Sequence, residues 1–323
     1  MPSNFRPAIV GSWLKYAFSD WTRGMPRSKR VITWVAISIQ AYAIWFALSR
    51  PQVWPYMIRE KKLVLYLGVY LLYLCGDRVM HALVTSEIVR KTQLEAEQVA
   101  AQNIQRSLQP EKLEELAGYE LDAFYEPFRA VGGDYFDVIE LPGERTLFAV
   151  ADVSGKGMPA ALLAANIQGL VRILADMDAD LPMLANRINQ HLSRYTPSER
   201  FATAVFVVLR QKTGELTYVN AGHNSPIVFS EGSSNSLQAT GLPMGLLSGA
   251  EYTVGAASIP FGGTLLLFTD GLTDSIRGED PASRLREAIS GNTAKSMSNL
   301  KSLIDPKLKE DDVSILLIKR MTR

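Results

Sequence analysis

The sequence predicts a mixed α/β protein of the α+β type: an antiparallel β core of two stacked sheets with helices outside it, preceded by a transmembrane helical hairpin and a connector helix. Three observations predict this. Strand-like runs beyond residue 118 follow one another without intervening helices, which argues against a doubly wound parallel sheet. Turn signals such as Lys212-Thr213-Gly214-Glu215 lie between neighbouring runs and imply hairpins. All five tryptophans fall within the first 54 residues, beside uncharged stretches long enough to enter a bilayer.

In chain order, strands are expected at 119–126, 136–141 and 146–153. Pro159 then opens an alanine-rich helix to about residue 176, and 181–194 reads as a second helix. Strands return at 201–209, 216–220, 227–229, 264–269 and 313–318. The stretch 230–236 is polar and rich in Gly and Ser, and reads as a mobile loop.

The first quarter is expected to be membrane-bound. Residues 31–48 carry no charge, and about 18 residues at about 1.5 Å each cover the hydrocarbon core. A second apolar stretch, 63–76, spans if its helix runs on past Asp77 and Arg78 to about residue 84. A soluble core helix is the competing reading for that segment, and a signal peptide for the first. Arg6, Lys15, Arg23, Arg27, Lys29 and Arg30 place the amino-terminal side in the cytoplasm, although the connecting loop also holds Arg50, Arg59, Lys61 and Lys62. The expected division is therefore a membrane region (1–84), a helical linker (85–117) and a folded domain (118–323). In the linker, Leu94, Ala101 and Leu108 recur every seven residues, with Ile104 between them. A short coiled coil that makes a homodimer and a single amphipathic helix fit equally, and Pro110 interrupts either.

A net charge of +1 gives no reason to expect a nucleic-acid partner. Cys75 is the sole cysteine, which excludes internal disulfides and thiolate zinc sites. His81, His191 and His223 lack ligand spacing, so any metal is held by carboxylates, which favours magnesium or manganese. Aspartates beside a glycine or a second acid recur at the ends of apolar runs: Gly132-Gly133-Asp134-Tyr135, Ala151-Asp152-Val153-Ser154-Gly155-Lys156-Gly157, Thr269-Asp270-Gly271 and Asp311-Asp312-Val313-Ser314. Burying a carboxylate there is costly unless a cation meets it. A lone aspartate would be read as a cap or turn former; an ordered set points to bound metal.

These stretches, with Asn220-Ala221-Gly222-His223-Asn224-Ser225-Pro226 and Gly241-Leu242-Pro243-Met244-Gly245, resemble the PPM/PP2C-type serine/threonine phosphatases in their bacterial branch, the RsbU and SpoIIE group. Two look-alike motifs fail. Tyr135 stands where a diguanylate cyclase needs an acid, and the loop at Lys156 lacks the glycine spacing of a nucleotide P-loop.

The resemblance implies a β-sandwich flanked by helices, with two Mn²⁺ or Mg²⁺ ions at one end. It maps their ligands onto Asp134, Asp152, Asp270, Asp312 and the backbone carbonyl of Val153. Metal-activated water is then the nucleophile, with no catalytic side chain assigned. Lys156 would meet substrate phosphate or stay a solvated loop lysine, the second being favoured. Asp274 and Asp311 would orient metal-bound water. Turn packing is the favoured role for His223, and Asp137 reads as a turn or surface residue. Eukaryotic-type members carry a histidine in the region of Ser154 and a phosphate-gripping arginine, for which the sequence offers no clear equivalent. The implied activity is a membrane-anchored protein phosphatase in the bacterial cytoplasmic (inner) membrane, its catalytic domain in the cytoplasm. The implied substrate is a phosphorylated STAS-domain anti-sigma-factor antagonist. The alternative is a non-catalytic membrane scaffold that binds a phosphoprotein through a degenerate phosphatase fold.

Overall fold

The computed structural model describes residues 62–110, 113, 115–177, 180–197, 199–278 and 280–322, with six isolated positions before them. The expected span 31–48 lies outside the described residues apart from Tyr42 and Trp45. The chain forms two compact units, 1–89 and 90–323.

Helix α1 (Lys62–Leu108) is 47 residues long, about 70 Å at the α-helical rise. It runs unbroken through Asp77 and Arg78, and no break separates the expected span from the linker. It ends two residues before Pro110, whose ring disfavours helical geometry in the residue ahead of it. In the first unit the side chains of Leu67, Val69, Leu71, Leu72, Val79, Met80 and Leu83 are all exposed. Such a surface is costly in water and suits lipid.

The second unit is a sandwich of two antiparallel sheets. One has the order β1 (Tyr119–Glu126), β10 (Val313–Arg320), β9 (Thr264–Phe268), β6 (Ile227–Ser230), β7 (Ser233–Ser236). The other has the order β2 (Tyr135–Leu141), β3 (Arg145–Val153), β4 (Ala202–Arg210), β5 (Glu215–Ala221), β8 (Gly255–Ser258). Central strands are apolar throughout because both of their faces are buried. On β3, Phe148 and Val150 face the other sheet, where they meet Leu265, Leu267, Leu316 and Ile318. The alternate residues Leu147, Ala149, Ala151 and Val153 face outward onto α2 (Met158–Asp176) and α3 (Leu181–Tyr195). On the far side, Leu266, Phe268, Ile315 and Leu317 pack on α5 (Pro281–Ala288) and α6 (Thr293–Leu303). The layers are therefore helix, sheet, sheet, helix. Small side chains on α2, Ala160 and Ala164, let that helix lie close to the sheet.

The expected strands and the first two domain helices are present, with ends shifted by a residue or two. The 230–236 stretch is not a mobile loop: its second half is β7, paired with β6 through a turn at Gly232, where φ is 73°. Its exposed serines carry no apolar alternation, so backbone pairing alone makes the strand. The sequence reading also passed over β8, the short α4 (Asp270–Asp274), α5 and α6. Side-chain caps do mark α5 and α6: Asp280 accepts from the Ser283 amide and Asn292 from the Lys295 amide.

Asp137 is a further correction, being fully buried on β2 rather than at the surface. Arg172 of α2 grips its carboxylate through two hydrogen bonds of 2.8 and 2.9 Å, and the Tyr135 hydroxyl donates a third at 3.1 Å. A carboxylate at this position is tolerable only because that fork meets it. Asp137→Ala should therefore cost about 2–4 kcal/mol, since it leaves the Tyr135 hydroxyl buried and unpaired. Urea unfolding of the variant measures this, and a loss under about 0.5 kcal/mol would mean the pair contributes nothing.

Candidate metal centre

Antiparallel pairing brings four strand ends to one edge of the sandwich. Tyr135 at the start of β2 pairs with Ala151 near the end of β3, and Phe268 at the end of β9 pairs with Ile315 near the start of β10. Asp134 immediately precedes β2, Asp152 is the last residue but one of β3, Asp270 follows β9 and Asp312 precedes β10. Two of these aspartates come from each sheet.

Asp134 is buried and ties the sheets together. The hydroxyls of Thr269 and Ser314, both from the opposite sheet, donate to its Oδ2 at 2.7 Å each, which leaves Oδ1 free of those bonds. The Ser314 amide donates in turn to Thr269 Oγ1 at 2.9 Å. Asp312, also buried, accepts from the backbone amides of Phe128 and Gly133 at 2.7 and 2.6 Å. The glycines allow these approaches. A Cβ on Gly133 would sit 2.9 Å from the Val153 carbonyl oxygen, so only a bare Cα lets the Asp134 loop lie against that carbonyl. A Cβ on Gly132 or Gly271 would overlap Asp312 itself.

The cluster is strongly acidic. Burial and the charges of Asp152 and Asp312 hold Asp134 well above the usual carboxylate range, against the hydrogen bonds from Ser314 and Thr269. Burial, then Asp270, Asp311 and Asp312, push Asp152 up to about 7. Asp270 is raised by burial and by Asp274 and Asp311, and Asp312 chiefly by burial. Lys156 partly offsets the charge on Asp152 and Asp270. It is not simply a solvated loop lysine. Its ammonium lies 2.9 Å from Asp311, donates to the Glu310 carbonyl and stands 5.2 Å from the centre of the Phe128 ring. Asp311 thus faces the cluster and Lys156 together, whereas the exposed Asp274 meets it through Asp270.

His223 packs as expected. It is buried, its Nδ1 lies 2.8 Å from the Thr203 hydroxyl, and burial lowers its pKa to about 4, so it stays neutral. Several contributors escaped the sequence reading. Thr269 and Ser314 lie inside the recognised motifs, where a hydroxyl within two residues of an acid is the available signal. Arg200, 46 residues from Ser154, donates to the Ser154 carbonyl at 2.8 Å and covers Gly155. The Tyr125 hydroxyl is buried without a partner, and the charges of Asp312 and Asp134 help to raise its pKa. Nothing in a linear pattern announces these two.

Among the described residues, no three His, Cys, Asp or Glu side chains converge closely enough to hold an ion as they stand. The donor set nevertheless fits a hard divalent cation. It consists wholly of oxygens, its carboxylates raise one another's pKa, and Oδ1 of Asp134 and the Val153 carbonyl lie at the same edge. Asp134, Asp152, Asp270, Asp312 and Val153 would be the holders, after side-chain adjustment.

A two-sheet sandwich faced by helices, with aspartates from both sheets at one end, is the architecture of a PP2C-type phosphatase domain. The SiaA-PP2C domain of Pseudomonas aeruginosa superposes with a TM-score of 0.61 at 18% identity, over 71% of this chain and 98% of that domain. The chain belongs to the family described as Stage II sporulation protein E (SpoIIE), whose pattern matches residues 142–321. That match includes Asp152, Val153, Lys156, Asp270, Asp274, Asp311 and Asp312 and begins after Asp134. Protein IcfG of Synechocystis sp. is 27% identical over 258 residues, which cover 67% of this chain and 40% of IcfG. Phosphoserine phosphatase RsbU of Bacillus subtilis is 24% identical over 239 residues, 71% of each chain. The chain thus spans less than half of IcfG and most of RsbU.

The raised carboxylates make a prediction about stability. An acid whose pKa rises on folding adds stability that is present at low pH and disappears as pH climbs through the folded value. The metal-free thermal midpoint should therefore fall between about pH 4 and pH 7, the interval between the ordinary and the folded pKa of Asp152. Asp152→Asn should flatten that fall and be the more stable protein at pH 8. Scanning calorimetry in EDTA measures both, and a wild-type midpoint that rises over this interval would contradict the electrostatics.

Proposed function

We propose that this chain is a membrane-anchored, Mn²⁺- or Mg²⁺-dependent protein serine/threonine phosphatase. The observation that carries the proposal is the gathering of repelling carboxylates from both sheets around Asp134 and Asp152. Divalent ions held by Asp134, Asp152, Asp270, Asp312 and the Val153 carbonyl would supply water activation at neutral pH and would offset the charge of a phosphomonoester. The chain's own residues do the rest. Thr269 and Ser314 fix the orientation of Asp134, and the amides of Phe128 and Gly133 fix Asp312. Lys156, held beside Asp311, puts a positive charge next to the acidic cluster, which supports a role in meeting substrate phosphate. Arg200 braces the loop after Asp152 from behind. Ser154 uses its Oγ to accept the Phe201 amide, so its role in that loop is to hold shape. His223 is buried and neutral, which argues against it as the acid for the leaving group.

The likeness to RsbU, a phosphoserine phosphatase, supports a phosphorylated protein as substrate, and the family resemblance points to a STAS-domain anti-sigma-factor antagonist. The exposed apolar face of α1 supports insertion in the bacterial cytoplasmic membrane, with the catalytic domain on the cytoplasmic side. Exposed Leu94, Ile104 and Leu108 on the same helix support a homodimer through the linker. The scaffold alternative would not require so costly a set of acids to be kept at one edge.

The purified 323-residue chain in detergent should hydrolyse a phosphoserine peptide with Mn²⁺ and lose that activity in EDTA. Asp152→Asn should lower kcat/KM by about 100-fold or more. Activity that persists in EDTA would refute the metal mechanism, and none under any divalent ion would favour the scaffold. In cell fractionation the chain should stay with the membrane pellet after alkaline carbonate washing; release into the wash would exclude a span.

A further inference from the structure

The last turns of α1 are fastened to the loop that leads into Asp134, and one side chain makes two of the bonds. The amide of Gln105 pairs with both backbone polar groups of Gly132. Its Nε2 donates to the Gly132 carbonyl at 2.7 Å, and its Oε1 accepts the Gly132 amide at 3.1 Å. This is how one strand pairs with the next, made here by a side chain. Gly132 is then confined on its other side as well, because a Cβ there would overlap both the Asp312 carboxylate and the Tyr125 hydroxyl. The next amide, of Gly133, donates to Asp312, and the next residue is Asp134. Three residues beyond Gln105, the carbonyl of Leu108 at the end of α1 receives the Gln168 side-chain amide from α2. Gln168 is itself buried.

From this arrangement we infer that Gln105 is a positioning residue for the metal centre. By holding both polar groups of Gly132, it sets where the Gly133 amide points, and so how Asp312 and Asp134 stand relative to each other. Backbone groups of a glycine-rich loop have no conformational preference of their own that would do this. Without Gln105 the Gly132 carbonyl would turn to water and its amide to the nearby Tyr125 hydroxyl, which fixes one polar group of the loop and not both. A preorganised loop lowers the ordering cost when an ion binds, so the prediction concerns metal affinity and not the chemistry itself. The role rests on the metal-centre reading above and adds to it the element that holds the ligand loop in place.

The test uses the full chain in detergent with Gln105→Met, which matches the length of the side chain and removes both bonds, and Gln105→Glu, which keeps only the acceptor. Two quantities are read: the thermal midpoint in EDTA, and the Mn²⁺ concentration giving half-maximal rise of that midpoint. Hydrolysis of a phosphopeptide against Mn²⁺ provides a third. For Gln105→Met the half-saturating Mn²⁺ concentration should increase about tenfold, with a smaller increase for Gln105→Glu. The EDTA midpoint should move by only a few degrees, and kcat should recover at saturating Mn²⁺. Wild-type affinity for Mn²⁺ in both variants would overturn the role. So would a failure of both to fold, or a loss of kcat that saturating Mn²⁺ does not restore. A wild type whose midpoint ignores Mn²⁺ would overturn the metal centre itself and this role with it. A wild type stabilised by Mn²⁺ beside variants with the same half-saturating Mn²⁺ concentration would overturn the role alone.

Discussion

The carboxylate of Asp134 belongs to one sheet and is held by two hydroxyls of the other, and the acidic edge depends on that crossing. Without Thr269 and Ser314 the sheets would still pack through Phe148, Leu267 and Leu316, because that contact is apolar and non-directional. Their strand ends would have no fixed separation. Hydrogen bonds to a buried carboxylate are directional and costly to leave unmade, so they set the distance across the gap. Asp312 repeats the device with backbone amides in place of hydroxyls.

Such an edge opposes folding. Several carboxylates raise one another's pKa there, and the stability they cost must come from elsewhere in the unit. The sandwich supplies it through central strands buried on both faces and through helices that close both outer surfaces. A site that destabilises its own scaffold is expected where function, not stability, dictates the residues. The Asp137–Arg172 pair, only three residues beyond Asp134, differs in kind: burial raises this acid too, but a guanidinium offsets part of that cost and joins the sheet to the helix that follows the Asp152 loop.

Helices α1 and α2 show how alike two apolar helices can be in composition while differing in surroundings. Both are long and apolar enough to cross a membrane. The α2 residues Ala160, Ala164, Ile167 and Val171 are buried against β3 and its neighbours, so α2 is a core helix. The α1 residues from Leu67 to Leu83 are exposed along most of the helix. Burial by other protein atoms, not hydropathy, separates the two.

Much of this was legible in the sequence. The succession of strands along the chain, their antiparallel stacking in two sheets and the acids that end the apolar runs follow from local patterns, because strand period and the cost of burying charge are local properties; the assignment of those acids to metal is what the family resemblance implies. The end of α1 was legible too, from Pro110. Tertiary structure alone decided what meets what. Asp137 reads as a surface acid until Arg172, 35 residues away, is brought to it; β7 reads as a loop until β6 offers it backbone partners; and Gln105 is one more polar residue on a helix until Gly132 arrives. Contacts such as these depend on chain segments far apart in sequence, and hydrogen bonding has no period that a linear pattern could reveal.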